Sequence, residues 1–101
     1  MSVVRLTERR TDRGLLVAAA DSDVVGGTYE NDAVSVTVAA SFYGDADSET
    51  DPDDLVESLA RASVANLVGE TVVTAAVDAG YVDEANVLDL GGVPHAQYLC
   101  L

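Results

Sequence analysis

The fold class is decided by residues 51–80, which read DPDDLVESLARASVANLVGETVVTAAVDAG. Asp51 is a favourable N-cap, Pro52 suits the first helical position, and two further aspartates lie near the positive end of the helix dipole. This start predicts a long helix that ends at Gly69, with one apolar face formed by Leu55, Val56, Leu59, Ser63, Asn66 and Leu67. A second helix is predicted from about Glu70 to Gly80, buried through Val72, Val73, Ala76 and Val77.

Strand-like segments lie on both sides of these helices. Before them come Ser2–Thr7, the apolar run Leu15–Ala20, and the alternating segment Val34–Val38. After them come Val87–Leu90 and His95–Leu101, separated by a Gly-Gly turn. This order predicts an α+β fold in one domain, residues 1–101, with a mixed β-sheet of about five strands and a helix pair packed on one face.

The connections between these elements are also predicted. The polar segment Glu8–Arg13 is typical of a hairpin loop. Asp21 is expected to cap a short helical turn through Val25 that ends at the following glycines. The carboxylate-rich segment Asp45–Asp54 is predicted as a solvated loop that leads into the first helix.

The charge of the chain indicates its environment. The sequence has 18 acidic and 5 basic residues, all of them arginine, for a net charge of −13. Such a charge destabilises a compact state by self-repulsion, which is screened when the Debye length falls to about 3 Å near 1 M salt. We therefore expect a protein of the salt-loaded cytosol of an extreme halophile. The single cysteine, Cys100, and the lack of a signal peptide or long apolar run predict a cytoplasmic protein without membrane contact.

Four segments resemble an archaeal family of unknown function, family 424. They are LVAAADSDVVG (16–26), SFYG (41–44), ANLVG (65–69) and GVPHAQ (92–97), which are spread over nearly the whole chain. The resemblance implies a small archaeal cytosolic protein and supplies no established activity. Ala20 stands where the family pattern would place a cysteine, so the resemblance does not imply a thiol-dependent role there.

Neither a metal site nor a cofactor is predicted. Laid on a calcium-loop template, the alternating carboxylates from Asp45 to Asp53 have Thr50 in place of the turn glycine and Val56 in place of the bidentate glutamate. The one histidine and one cysteine lack the paired spacing of a transition-metal site. Five positions apart on a strand, His95 and Cys100 would also point to opposite faces.

A shallow site around His95, Tyr43 and Asn66 is one functional hypothesis. His95 is the only imidazole, and this side chain most readily exchanges protons at neutral pH. It lies in the Val93–Tyr98 segment, whose Pro94 and Gln97 are further binding candidates. Each residue also has a structural explanation, in which His95 is a hydrogen-bonded residue, Asn66 anchors a loop and Tyr43 closes the core. This hypothesis describes a small enzyme or metabolite-binding protein.

The arginines favour a different hypothesis. Arg5, Arg9, Arg10 and Arg13 give residues 1–13 a charge of +2, whereas the other 88 residues carry −15, one arginine against sixteen acids. A basic tip on an acidic body suggests docking to an anionic partner such as RNA, or internal pairing with the carboxylates. The leading hypothesis is therefore a non-enzymatic accessory module that contacts protein or RNA in information processing, with no signal for DNA. A structural subunit of a homo-oligomer is a third possibility.

Overall fold

The computed structural model describes residues 3–100 and consists of strands, three α-helices and short 3₁₀ turns. The Ser2 end of the first predicted strand and the Leu101 end of the last lie outside these residues. In chain order the elements are β1 (Val4–Thr11), β2 (Gly14–Asp21), β3 (Thr28–Glu30), β4 (Ser35–Thr37), α1 (Ala40–Tyr43), β5 (Glu49–Thr50), α2 (Pro52–Leu59), β6 (Val64–Val68), α3 (Glu70–Asp78), β7 (Leu88–Leu90) and β8 (Val93–Leu99).

The main sheet is mixed and has six strands in the order β5-β1-β2-β6-β8-β7. Only β2 and β6 pair in parallel among the described strands, and the other neighbours are antiparallel. The α+β fold with a mixed sheet is thereby confirmed, with one more strand than predicted. β3 and β4 form a separate antiparallel ribbon.

One face of the main sheet is sealed by the helix pair α2 and α3. Alternate strand residues point into this layer because successive side chains of a strand face opposite ways. They pack against buried helix residues to form the larger core, whose fully buried members include Val4, Val17, Ala19, Leu55, Leu59, Ala65, Leu67, Val72 and Ala76. We refer to this side as the helix face.

The opposite face is covered only in part. Helix α1 and the β3–β4 ribbon lie on it and bury a smaller cluster of Ala18, Ala20, Val38, Tyr43 and Val68. Alanines on β2 let these short elements approach the sheet closely. We refer to this side as the half-covered face.

Two of the predicted boundaries are wrong. The first helix ends at Leu59, and Val64–Val68 is the central strand β6 instead of a helical continuation. A turn through Ala60–Ala62 makes this change of direction, which no glycine or proline marks. The predicted loop Glu8–Arg13 is mostly strand, because β1 continues to Thr11 and only a tight turn remains before β2.

Asp21 has a different role from the predicted one. It precedes a 3₁₀ turn, Ser22–Val24, but its side chain does not cap it. Its carboxylate instead accepts hydrogen bonds from the backbone N–H groups of Thr71 and Val72, 2.9 Å each, at the start of α3. The end of β2 is therefore joined to the helix that follows β6.

Candidate functional site

The register of the sheet aligns the side chains of the half-covered face in rows. One row contains Arg9, Leu16, Val64 and Leu99, and the next contains Thr7, Ala18, Asn66 and Gln97. A third contains Arg5, Ala20, Val68, His95 and Leu88. Six of the nine predicted binding residues contribute to this face. Arg5, Arg9, Asn66, His95 and Gln97 lie in the rows, and Tyr43 lies on α1 above them.

Part of this face remains open to solvent. Leu16, Val64, Asn66, Gln97 and Leu99 are half-buried or exposed, and we call them the open patch. They come from β2, β6 and β8 at the end of the sheet nearest the β1–β2 hairpin turn. The patch contains no charged side chain, in a chain with 18 acidic residues. Its polar groups are two amides between apolar side chains.

Asn66 and Gln97 are the polar centre of the open patch. They are direct partners across β6 and β8, and Gln97 Nε2 donates to Asn66 Oδ1 over 2.8 Å. This bond leaves the Asn66 Nδ2 group to donate and the Gln97 Oε1 atom to accept. Because β6 is a strand, Asn66 lies on an open sheet face and not on the buried stripe of a helix. The pair therefore presents a donor and an acceptor on the open part of the sheet.

His95 is a buried residue beside the open patch. Its side chain is 8% exposed, and Nδ1 lies 3.0 Å from the Leu67 carbonyl oxygen. This contact fixes the ring orientation. Pro94 points to the other side of the sheet, where it lines a small cleft with Val73 and Val77 of α3. The Val93–Tyr98 segment is thus divided between the two faces.

Tyr43 belongs to the core. It is 5% exposed, packs edge-on against Phe42 with ring centroids 5.0 Å apart, and burial raises the pKa of its phenol. The five main cavities of the described residues are lined by other side chains, so Tyr43, Asn66 and His95 do not form a shared concave site in any of them. This arrangement weakens the hypothesis of a shallow catalytic pocket.

The N-terminal arginines fall into two pairs. Arg5 and Arg9 donate to main-chain carbonyls of the α1 segment, Arg5 to Gly44 over 3.3 Å and Arg9 to Ser41 over 2.6 Å. The Arg9 guanidinium also lies 5.1 Å from the Phe42 ring centroid. Arg10 and Arg13 are exposed at the hairpin tip. The first pair holds α1 on the sheet, and the second pair is exposed at the hairpin tip.

A crevice of about 560 Å³ lies at the carboxyl ends of the parallel strands β2 and β6, lined by Val3, Asp21, Ser22, Asp23, Glu49, Glu70 and Thr71. In open α/β sheets, ligands often bind at this edge, with an anion on the helix N-terminus. Here the Asp21 carboxylate occupies that position itself. Gly69 permits the close approach, since a Cβ there would lie 2.5 Å from Asp21 Cγ. The crevice therefore cannot bind an anion in that way.

This crevice also lacks the geometry of a metal site. Within residues 3–100, no group of three histidine, cysteine, aspartate or glutamate side chains could hold a metal ion.

The sequence contains a signal for the Asp21 link, an aspartate directly after a buried strand and a glycine directly before a helix. It could be interpreted only if Val64–Val68 were recognised as a strand.

A polar cluster on the helix face was not predicted. Ser58 of α2 is 1% exposed and donates to Glu8 of β1, and Arg61 Nη2 lies 2.7 Å from Glu8 Oε2. The Ser58 hydroxyl, followed by Arg61, lowers the pKa of Glu8. These contacts attach the end of α2 to the extended hairpin.

No helix in the described part of the chain is long and apolar enough to cross a membrane.

The model of a family described as "Protein of unknown function (DUF424)" matches residues 8–101. The crystal structure of an uncharacterized conserved protein from Methanopyrus kandleri is similar, with a TM-score of 0.74, 24% identity, and coverage of 98% of this chain and 95% of that one. Comparison with curated proteins gives no match. The chain therefore belongs to the DUF424 family, as the four segments indicated.

Proposed function

We propose that this DUF424 protein is a non-enzymatic binding module that contacts a partner protein through its open patch and the adjacent hairpin tip. The observation that carries the proposal is the uncharged open patch on a chain of net charge −13. Charged side chains are typically depleted at the core of a protein interface, and polar groups there fix the register. The Asn66–Gln97 amide pair supplies such groups.

The scattered placement of the candidate catalytic residues favours binding over catalysis. Tyr43 of α1 is buried in the smaller core cluster, and His95 contacts a main-chain carbonyl. The residues of the open patch line none of the five cavities described above, whereas a small substrate is usually enclosed in a cleft. The net charge and the single cysteine further support a salt-rich cytoplasm as the place where the module works.

A protein partner is favoured over RNA by two observations. Only Arg10 and Arg13 extend freely at the tip, and two phosphate contacts give a salt slope of about −1.8, a loss of several hundred-fold between about 0.1 M and 3 M salt. The open patch also lacks an aromatic side chain on which a base could stack. RNA contact at the hairpin tip is the second candidate, supported by these same two arginines.

The proposal is tested by capture from a lysate in molar KCl with wild type and matched variants. Asn66→Asp places a carboxylate in the open patch while an oxygen remains to accept from Gln97. Asn86→Asp makes the same change at an exposed residue outside the patch. We expect Asn66→Asp to lose a partner protein that wild type and Asn86→Asp both retain, as measured by quantitative mass spectrometry.

The hairpin tip is tested separately with the double variant Arg10→Ser/Arg13→Ser. Within residues 3–100, the guanidinium groups of Arg10 and Arg13 make no hydrogen bond or ion pair, so we expect the double variant to keep the fold. A partner lost from this variant and also lost after nuclease treatment would assign RNA to the tip. Identical partner sets for wild type, Asn66→Asp and the double variant would contradict the proposed function.

A further inference from the structure

We propose that β8 is the self-association edge of this protein, where a second copy of the chain adds its own β8 in antiparallel pairing. This inference does not rest on the proposed function: it concerns the outward main-chain groups of β8, whereas the proposed function concerns the side chains of the open patch, to which Gln97 and Leu99 also belong. It rests on three observations about β8: which of its main-chain groups point outward, how exposed its side chains are, and the absence of charged residues around it.

The outer edge of β8 is only half occupied. β7 pairs with Val93–His95 around the Gly91-Gly92 turn, and its last partner pair is Leu88 with His95. From Ala96 to Leu99, β8 is paired with β6 on its inner side and with no described strand on its outer side. The result is a notch of four residues beside the end of β7.

The phase of the antiparallel ladder identifies the free groups. Gly69 N–H donates to the Pro94 carbonyl and Cys100 N–H to the Ser63 carbonyl, 2.8 Å each, at the two ends of the β6–β8 pair. Since hydrogen-bonded and non-bonded pairs alternate, Ala96 and Tyr98 face inward to β6. Gln97 and Leu99 therefore direct their N–H and C=O groups outward, and within residues 3–100 these groups have no main-chain partner.

These free groups are complementary to those of an identical strand. A two-fold axis through Tyr98 places Gln97 opposite Leu99 of the other copy, and Leu99 opposite its Gln97. Each of these two pairs exchanges two hydrogen bonds, so four bonds satisfy every free group of both notches. Tyr98 then meets Tyr98 of the other copy across the axis, in a close non-bonded pair that favours aromatic contacts.

Charge and exposure favour a second copy as the occupant. Residues 90–101 contain none of the chain's 18 acidic and 5 basic residues, so like copies can meet there with little local repulsion. Of the three large exposed apolar side chains among residues 3–100, two lie at the notch, Leu99 (62% exposed) within it and Leu88 (41% exposed) beside it. The opposite sheet edge is different, because β5 has two residues and the surface beside it contains Asp47, Glu49, Asp54 and Glu57.

The test measures the mass of the purified full chain by light scattering in molar KCl, from micromolar to millimolar concentration. We expect a dimer of twice the 10.4 kDa chain mass. Gln97→Pro removes an outward N–H that the sheet does not use, so it should fold and be monomeric. Gln97→Ala is the matched control: it removes the amide side chain and keeps the N–H, and it should remain dimeric.

A monomeric wild type at millimolar concentration would overturn the proposal. A dimeric Gln97→Pro, or a Gln97→Ala that is as monomeric as the proline variant, would do the same, because neither fits main-chain pairing. If Gln97→Pro does not fold, Leu99→Asp and hydrogen exchange decide. We then expect Leu99→Asp to weaken the dimer at least tenfold and the Gln97 and Leu99 amides to exchange more slowly as concentration rises, and either failure overturns the proposal.

Discussion

The two faces of the main sheet are built on different principles. The helix face is a continuous apolar layer in which side chains such as Leu67 and Leu59 are fully buried between strands and two helices. On the half-covered face, short elements are held over alanines by hydrogen bonds from Arg5, Thr7 and Arg9 to main-chain carbonyls. The first arrangement supplies stability. The second leaves part of the sheet exposed to solvent, and the alternation of side chains along each strand keeps the two faces separate.

The largest expected effect is a loss of stability at low salt, which involves both faces of the sheet. Transfer from about 2–3 M KCl to low salt lengthens the Debye length from about 3 Å or less to 10 Å or more, so the surface carboxylates repel one another over the whole molecule. We expect a loss of several kcal/mol, which is a large part of the roughly 5–15 kcal/mol of a typical domain. Thermal unfolding by circular dichroism measures it. An unchanged midpoint would contradict adaptation to high salt.

The next largest effect is a difference in stability between substitutions at two adjacent residues, one on each face of the sheet. Leu67→Ala removes a fully buried side chain from the helix face and should cost about 2–5 kcal/mol of unfolding free energy. Asn66→Ala changes the open patch and should cost less than about 1 kcal/mol. Urea denaturation in molar KCl compares the two variants. Equal losses would mean that the open patch contributes to the core.

A smaller effect is expected where Asp21 links β2 to α3. Asp21→Ala leaves two N–H groups of the helix N-terminus without their acceptor and should cost about 1–3 kcal/mol. Asp23→Ala, an exposed aspartate in the same crevice, should change stability by less than about 0.5 kcal/mol. The same denaturation experiment measures both. If the two variants behave alike, the carboxylate link does not hold the helix.

On the half-covered face, the corresponding link is Arg9. Arg9→Ser removes the hydrogen bond to Ser41 and the contact with the Phe42 ring, for an expected loss of about 0.5–1.5 kcal/mol. Arg10→Ser, one residue later on the other face, should change stability by less than about 0.5 kcal/mol. Hydrogen exchange of the α1 amides provides a local readout, because only Arg9→Ser should accelerate it.

The smallest effect is a pH dependence on the helix face. The pKa of Glu8 lies below its ordinary value of 4.5, because the ionised form accepts from Ser58 and Arg61. Its contribution to stability is therefore present above pH 4.5 and is lost as the pH falls through the lowered value. The difference in stability between wild type and Glu8→Gln should be constant from neutrality to that pH and decrease below it. Glu57→Gln, an exposed change on α2, serves as the control, and a difference that persists unchanged in acid would refute the assignment.

Much of the fold follows from local patterns in the sequence. The Asp51-Pro52 helix start, the buried run of β2 and the glycine-bounded helix α3 are all where their signals place them. The strand β6 could not be recognised in this way. Its residues have the apolar content of a buried strand and also fit a helical stripe that continues from Leu59, and a short apolar run does not distinguish the two.

The same limit applies to the candidate site. Candidate residues such as His95 and Gln97 were identified as chemical types, but their grouping depends on strand order and register, which the sequence does not determine. Asn66 could be assigned to the open patch only once β6 was known to lie between β2 and β8. The division of the arginines required the position of α1, because Arg9 and Arg10 differ only in which side of the strand they occupy.

The parallel pairing of β2 with β6 has a consequence for how the chain acquires its structure. Each pair of facing residues, such as Leu16 and Val64, is separated by 48 positions in the sequence. The β1–β2 hairpin closes through a tight turn and can form in about 1–10 μs. The β2–β6 pair can form only when the chain between these strands, which contains the ribbon, α1 and α2, has become compact. We therefore expect the joining of β2 to β6 to be the slow event in folding, during which the β2 edge is available to wrong partners.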